Sequence, residues 1–350
     1  MRSSGGSPSS VAGRATVSAR PSGALKLWAG LGAVCVALAL STYARWIGSS
    51  DFAHVDPGPD HYDYLWVLRT MEVVSVAMVL AFLWFCLVRP LVRDRVFTFD
   101  GKLLLGLLLA YVVDPTFNAF GHDFAMNAHS VNLGGWGDKL PFFSAPGQGH
   151  YAEALLWAMP LYVYCGIAAA MLGGLALRFL RTRLPRRSTA EIWLLLYLAF
   201  VVGDFAFEFT FFVLPQLYVF AGVKANMSLF AGTLHQFPIY HSLAAGLFAG
   251  SITWLRDSRD ETGRSAIERG ADHITGRART TLSFLAITGY ATAAAFLGYF
   301  LPFSYVSMKA DTYTDVPSYL SAGAFCGDRG KPICPSQYLD DLRLRAKETH

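Results

Sequence analysis

Charge is what this chain has least of. Only 15% of its 350 residues are Asp, Glu, Lys or Arg, against the roughly 25% of an ordinary soluble domain. A soluble domain so poor in charge could not cover its outside, and a disordered chain would not carry 26 Phe, 16 Tyr and 8 Trp. Both classes are excluded. Cysteine is scarce too, five in all, and Cys35, Cys86 and Cys165 sit inside apolar runs, where they read as small core residues. No P-loop, GxSxG or CxxC pattern occurs, so nothing points to nucleotide, nucleophilic-serine or dithiol chemistry. Nothing points to nucleic acid either.

What is present is apolar sequence, 53% of the chain. A hydrocarbon layer about 30 Å thick needs roughly 20 apolar helical residues to cross. Seven such runs stand out, from Ala24 to Ile47, Tyr62 to Leu91, Lys102 to Phe120, Tyr151 to Leu180, Glu191 to Val213, Leu234 to Leu255 and Thr280 to Leu301. The first is longer than the apolar core of a signal peptide and lacks a small-residue cleavage site after it, so it reads as retained. The expected fold is therefore all-α, a polytopic membrane bundle of about seven helices in the cell membrane. Residues 1–23 read as a disordered basic tail, 24–301 as the membrane domain and 302–350 as an exported C-terminal tail.

The basic residues choose the orientation. Arg2, Arg14, Arg20 and Lys26 precede or open the first run, Arg89 to Lys102 fill the second loop, Arg178 to Arg187 the fourth and Arg256 to Arg279 the sixth. Short cytoplasmic loops retain positive charge, which puts the N-terminus inside and the C-terminus outside. Eight of the nine histidines, all but His273, then fall toward the outer side or in the C-terminal tail. In that tail Cys326 and Cys334 are read as a disulfide of an oxidising compartment, with two free thiols as the alternative.

Ionisable groups inside a bilayer cost about 2.5–3.5 kcal/mol each on insertion scales, so each is a functional candidate or a paired structural group. Arg69 and Glu72 are three residues apart and within reach of each other on one helix face. Tyr111, Asp114, Asn118 and His122 recur at helical spacing, a polar stripe that must face the bundle interior, with Pro115 loosening the backbone in its middle. Asp204 and Glu208 form an i, i+4 pair, so one of them must hold a proton or find a cationic partner. Glu153 stands at the outer end of the fourth run, and His235, Tyr240 and His241 at the start of the sixth. The loop from Gly121 to Trp136, with Asn127, His129 and Asn132, reads as a lid or binding loop, or as a re-entrant plug. Two pigment and metal classes drop out: the seventh run has no lysine for a retinal Schiff base, and His122, His129, His235 and His241 lack the tight spacing of membrane di-iron desaturases. Asp, His and Glu leave metal binding as a weaker alternative; no metal or cofactor is expected.

Asp114-Pro115-x-x-Asn118, the loop Asn127-Ala128-x-x-Val131-Asn132-x-Gly134-x-Trp136, Ala152-Glu153 and Asp204-x-x-x-Glu208 together resemble the spirocyclase AveC family of actinobacterial membrane proteins. The similarity runs from about residue 60 to 255. The resemblance implies closure of a dihydroxy-ketone polyketide to a spiroketal, in some members with dehydration, and no redox cofactor. It fixes no residue roles, so chemistry assigns them. Asp114 with Asp204 or Glu208 forms an acid and base couple, His122 or His235 shuttles protons, and Glu72 and Glu153 orient substrate or stabilise a cation. Arg69, Tyr111, Asn118, Asn127, His129, Asn132, Trp136, Tyr240 and His241 are the expected substrate contacts. An apolar substrate would enter from the lipid past Tyr62, Trp66, Tyr111, Trp136 and Trp157, although aromatics near span ends also form interface belts. Two other readings stand beside this one: an integral-membrane terpene cyclase using the same carboxylates, and a transporter or scaffold, the transporter weakened by the lack of an internal repeat.

Overall fold

A computed structural model of the chain describes residues 23–121, 123–141, 151–220, 222–314 and 316–321. The basic tail, His122 and the Cys326 and Cys334 pair lie outside these residues. The chain is mostly helical. Helix α1 is Gly23–Ile47, α2 is Leu65–Arg93, α3 is Phe99–Ala110, α4 is Val113–Gly121, α5 is Ala158–Arg183, α6 is Thr189–Val213, α7 is Ile239–Asp257 and α8 is Gly276–Ser307, with a short α9 at Ser318–Ser321. Five of them, α1, α2, α5, α6 and α8, are long and apolar enough to cross a membrane. The other two expected spans are helical but not among these five.

The third expected span shows why. It is broken at Tyr111 and Val112 into α3 and α4. Pro115 has no N–H, and its ring would collide with the carbonyl of Tyr111 four residues back. The helix therefore stops at Ala110 and restarts at Val113, which places Pro115 in a first turn, where an N–H is not needed. Tyr111, Asp114 and Asn118 thus do not form one continuous helical stripe. Other boundaries move as well: the fourth helix begins at Ala158, after a buried non-helical stretch from Tyr151; the sixth begins at Ile239; the seventh continues to Ser307.

Two large cores form, one at each end of the bundle, with a small third cluster of Leu177, Ile192 and Leu196 between α5 and α6. One end of the bundle gathers the close of α1, the start of α2, α4 and the close of α6 around buried Trp46, Tyr111, Trp136, Trp157, Phe212 and Phe303. The other gathers the start of α1, α3 and the first part of α8 around buried Leu25, Leu103, Leu104, Leu107, Ile267 and Ile287. Helix α3 is buried almost all round, its leucines packed between α1, α5 and α8. There α1 and α8 cross almost backbone to backbone: a Cβ on Gly32 would lie 1.8 Å from the Leu285 carbonyl oxygen, and one on Gly289 would lie 2.4 Å from that of Trp28. Small residues permit that approach in lipid-facing bundles.

The aromatic end carries a cap, which departs from a purely α fold. Strands β1 (Ala125–Met126) and β2 (Tyr218–Val219) pair antiparallel, as do β3 (Gly222–Val223) with β6 (Thr312–Tyr313), and β4 (Ser228–Leu229) with β5 (Phe237–Pro238). Three two-residue ladders thus tie the loops after α4, α6 and α8 together. Two helices widen to π-type turns beneath this cap, α6 over Phe209–Val213 just after Glu208, and α8 over Ala294–Phe300, which contains Tyr299. Such turns occur often at functional sites.

Candidate functional site

The loop between α4 and α5 is fastened by its own polar residues. The Asn118 side chain, on α4, accepts from Phe124 N at 2.8 Å and donates to Phe124 O at 3.2 Å, turning the chain back over the helix. Asn127 donates to Gln216 O at 2.9 Å and accepts from His129 N at 2.9 Å. Asn132 accepts from Val55 N at 2.9 Å and donates to the carbonyls of Ala128 and Ser130 at 3.0 Å each. From α2, Glu72 accepts from Val131 N at 2.8 Å and from Arg69 at 2.6 Å, and Arg69 also donates to His129 O at 3.0 Å. His129 stacks on Tyr62 with centroids 5.3 Å apart. Trp136 is fully buried against Tyr43, Trp46 and Tyr111. The result is a seated plug, and Arg69, Glu72, Asn127, His129, Asn132 and Trp136 hold it without lining the cavity below.

That cavity has a volume of about 40 Å³. Six polar side chains line it: Asp114 from α4, Tyr162 from α5, Glu208 from α6, Tyr218 from β2, His241 from α7 and Tyr299 from α8. Phe124, Met126, Leu161 and Trp157 close the rest. Five helices or strands besides α4 thus converge on a space large enough for a few waters.

The polar groups are arranged in pairs. Glu208 accepts from the Tyr218 hydroxyl at 2.5 Å. His241 Nε2 and the Tyr299 hydroxyl are 2.7 Å apart, while His241 Nδ1 faces Asp204 Oδ2 at 3.3 Å. Asp204 and Glu208, one turn apart on α6, therefore serve different partners. Asp114 is buried with the Tyr162 hydroxyl as its neighbouring donor, but neither Oδ1 nor that hydroxyl makes a well-formed hydrogen bond among the described residues. An unmatched carboxylate oxygen is expensive to bury unless a water or a substrate reaches it.

Two further acids stand behind the wall, in segments outside the spanning helices. Glu153, with no exposed surface, accepts a short hydrogen bond from Tyr111, and its Oε2 is unpartnered among the described residues. Burial pushes its carboxyl above the usual range, an effect the Tyr111 hydroxyl only partly offsets. Asp123 accepts from the Ser304 hydroxyl, and burial pushes it up to about 7 against the opposing pull of Ser304, Ser307 and His241.

The remaining expected residues sit apart. His235 is half-buried in the stretch before β5, and Tyr240 packs on Phe303 with its hydroxyl 3.5 Å from Lys224 N; neither lines the cavity. Tyr162, Tyr218, Tyr299 and Asp123 were not among the expected site residues. Tyr162 and Tyr299 lie inside apolar runs and carry a hydroxyl at membrane depth, the same signal that singled out the acids. Tyr218 follows a span end and carries no such signal.

A family model described as spirocyclase AveC-like matches residues 94–319. The chain belongs to the spirocyclase AveC-like family. The match starts later than residue 60 and continues past 255, so it takes in α8 with Tyr299 as well as every other cavity residue. Comparison with curated proteins and with solved structures found no match. Membership of the AveC-like family points to an enzyme of cyclase type, and the five long apolar helices mark a membrane protein. Among the described residues, no cluster of His, Cys, Asp and Glu is arranged to hold a metal ion.

Proposed function

We propose that this AveC-like protein closes a dihydroxy-ketone of polyketide type to a spiroketal by acid–base catalysis inside the bundle. The observation that carries the reading is the convergence of Asp114, Glu208 and the His241 and Tyr299 pair on one enclosed cavity. Spiroketalisation needs these group types and no electron transfer. One hydroxyl adds to the ketone carbon as its proton passes to a base and the carbonyl oxygen gains one from an acid, giving a hemiketal. The base passes its proton back to the acid, which protonates the hemiketal hydroxyl so that it leaves as water. The resulting oxocarbenium ion is captured by the second hydroxyl, whose proton goes to the freed base and from there to the acid, which resets the pair.

In this reading Asp114, with its free Oδ1, is the acid toward the departing hydroxyl. Glu208 is the carboxylate that faces the cation and takes the last proton. Asp204 orients His241 through Nδ1, so that Nε2 accepts from Tyr299 and the tyrosine can relay protons to the substrate. Phe124 and Trp157 line the cavity, and aromatic rings there favour a developing cation. A polyketide does not fit in about 40 Å³, so the plug must lift or the helices part to admit it from the lipid, with no cofactor required. Trp66, 70% exposed on α2, faces outward at this level, whereas Tyr62, Tyr111, Trp136 and Trp157 are buried.

The same reading completes the topology: seven spans of a multi-pass cell-membrane protein, the leucine-rich end cytoplasmic and the aromatic cap outside. Arg181 and Arg183 in the last turn of α5 and Arg256 in that of α7 lie at one end, as retained positive charge requires.

The test is turnover of a synthetic dihydroxy-ketone by protein reconstituted in liposomes, followed by chromatography for the product lacking one water. Protein-dependent product that Asp114→Asn removes is expected. Equal rates with and without protein, or full activity of the variant, overturn the proposal. Cyclisation of an apolar polyene under the same conditions would instead favour a terpene cyclase.

A further inference from the structure

At the opposite end of the bundle lies a second, larger cavity of about 370 Å³. It opens between the last turns of α5 and α7 and the loop that follows α7, with Ala170 and Gly174 along one wall and Arg178, Arg256 and Arg259 around it. It shares no residue with the acid-lined cavity.

The charges around it are unevenly committed. Arg256 is bound to Asp100 by two hydrogen bonds of 2.9 and 3.1 Å. Asp257 is held by Arg181 at 2.9 Å. Asp260 accepts from Thr262 N, from the Thr262 hydroxyl and from Arg264 N, and so closes its own turn. Arg259 spends Nε on the Arg256 carbonyl and lies over the Phe99 ring at 5.1 Å. No carboxylate pairs with it among the described residues, and none pairs with Arg178. Glu261 stands exposed at the rim. Arg178 and Arg259 therefore line the cavity without an ion pair of their own among the described residues, beside Arg256, which is already neutralised, and with Asp257, Asp260 and Glu261 in the same lining. Burial, with Arg256 and Arg178 nearby, holds the Arg259 guanidinium below its usual range against the opposing pull of Asp100 and Glu268.

Gly174 gives the space its floor. A Cβ there would stand 4.0 Å from Nη1 of Arg178 and 4.0 Å from Nη1 of Arg256. The absent side chain keeps the space beside those two nitrogens open. Guanidinium forks match phosphate oxygens in pairs. The cavity also opens at the ends of apolar helices, the height at which a bilayer holds its phosphate layer.

We infer that this cavity is a phosphate-ester site, formed by Arg178 and Arg256 beside Gly174 with Arg259 in the same lining, and that its occupant is a lipid headgroup or a free phosphate bearing the same chemistry. The site is independent of the cyclase reading.

Full-length protein in detergent is incubated with phosphatidylglycerol, with diacylglycerol of the same chains, or with inorganic phosphate, and bound lipid is counted by native mass spectrometry. Phosphatidylglycerol is expected to bind at least tenfold more tightly than diacylglycerol. Arg178→Gln and Gly174→Leu, the second filling the cavity with the arginines untouched, should each remove that preference while thermal unfolding stays unchanged. If millimolar inorganic phosphate displaces the lipid, the site takes free phosphate as well; if not, the headgroup with its chains is the ligand. Equal binding of the two lipids by the unsubstituted protein, or a preference that survives both substitutions, overturns the inference. Should Gly174→Leu unfold the protein, Arg178→Gln alone decides.

Discussion

The two ends of the bundle bury acids in opposite ways. At the leucine-rich end Glu268 is 2% exposed and fully matched: it accepts from Ser265 N at 2.9 Å, from the Ser265 hydroxyl at 2.7 Å and from the Ser283 hydroxyl, and it stands 3.6 Å from Lys102 Nζ. At the aromatic end Asp114, Asp123 and Glu153 are just as buried, yet each keeps one oxygen without a partner among the described residues. A matched acid of this kind holds structure together, whereas an unmatched one is tolerated where a substrate or water completes it. Burial alone therefore does not separate the acids of the two ends; the number of partners each carboxylate finds does.

The contrast is sharpest at Asp114. Replacement by Asn keeps shape and volume but removes the proton an acid must give, so turnover in liposomes should fall by about 10³-fold, within the range for a lost general acid. Thermal stability should change little, because Oδ1 makes no well-formed hydrogen bond and Asn keeps an acceptor beside the Tyr162 hydroxyl. A stability loss with retained turnover would make Asp114 a structural acid like Glu268 and erase the difference between the two ends.

Glu268→Ala should do the reverse. It removes three donors' acceptor and leaves Lys102 without its carboxylate, which typically costs about 3 kcal/mol. Thermal unfolding in detergent reads the loss, and turnover per folded molecule should be unchanged.

Asp123 tests the comparison through pH. Its carboxyl is raised to about 7 by burial, while in the unfolded chain it titrates near an ordinary Asp, about 3.9. Between those values the folded state binds the extra proton, so stability is present in full at low pH and falls as pH rises through about 7. Asp123→Asn cannot lose that proton. The variant should unfold with a flatter pH dependence between 4 and 8, and should be more stable than the parent at pH 8 by on the order of 2 kcal/mol, part of the shift at 1.36 kcal/mol per unit. An unchanged slope would mean that the buried oxygen is hydrated.

How far the sequence reaches depends on which interaction decides each element. The long apolar runs were legible because bilayer thickness and helix rise fix their length. The break at Tyr111 was only half legible: Pro115 signals a disturbance, but whether the helix bends or restarts depends on what receives the freed carbonyls. Loop residues were harder. Asn127, His129 and Asn132 offer the same donors and acceptors to a backbone as to a substrate, and only the tertiary contacts with Gln216, Val55 and Ser130 show them engaged with the chain itself. Asp204 and Glu208 were read as one pair because they share a helix face, yet α7 and β2 separate them by offering His241 to one and Tyr218 to the other. Tyr162, Tyr218 and Tyr299 are harder to read from sequence because, unlike Tyr111, they fall in no stripe with an acid, although at this depth their hydroxyls need partners as an acid does.

Glu72 marks the border between the two kinds of acid, and it carries the smallest expected effect. It is 4% exposed, but both oxygens are used, one by Arg69 and one by Val131 N. By the satisfaction criterion it belongs with Glu268 although it lies at the aromatic end. Glu72→Gln keeps an acceptor for Val131 N and weakens the bond to Arg69, whose side chain is half exposed, so the change is about 1 kcal/mol. That is roughly a fivefold rise in the local opening of the plug. Hydrogen exchange of the amides from Ala125 to Trp136 should speed up by that factor, with the rate at saturating substrate unchanged. A fall in that rate without faster exchange would place Glu72 in the chemistry, and full satisfaction would no longer separate structural acids from reacting ones.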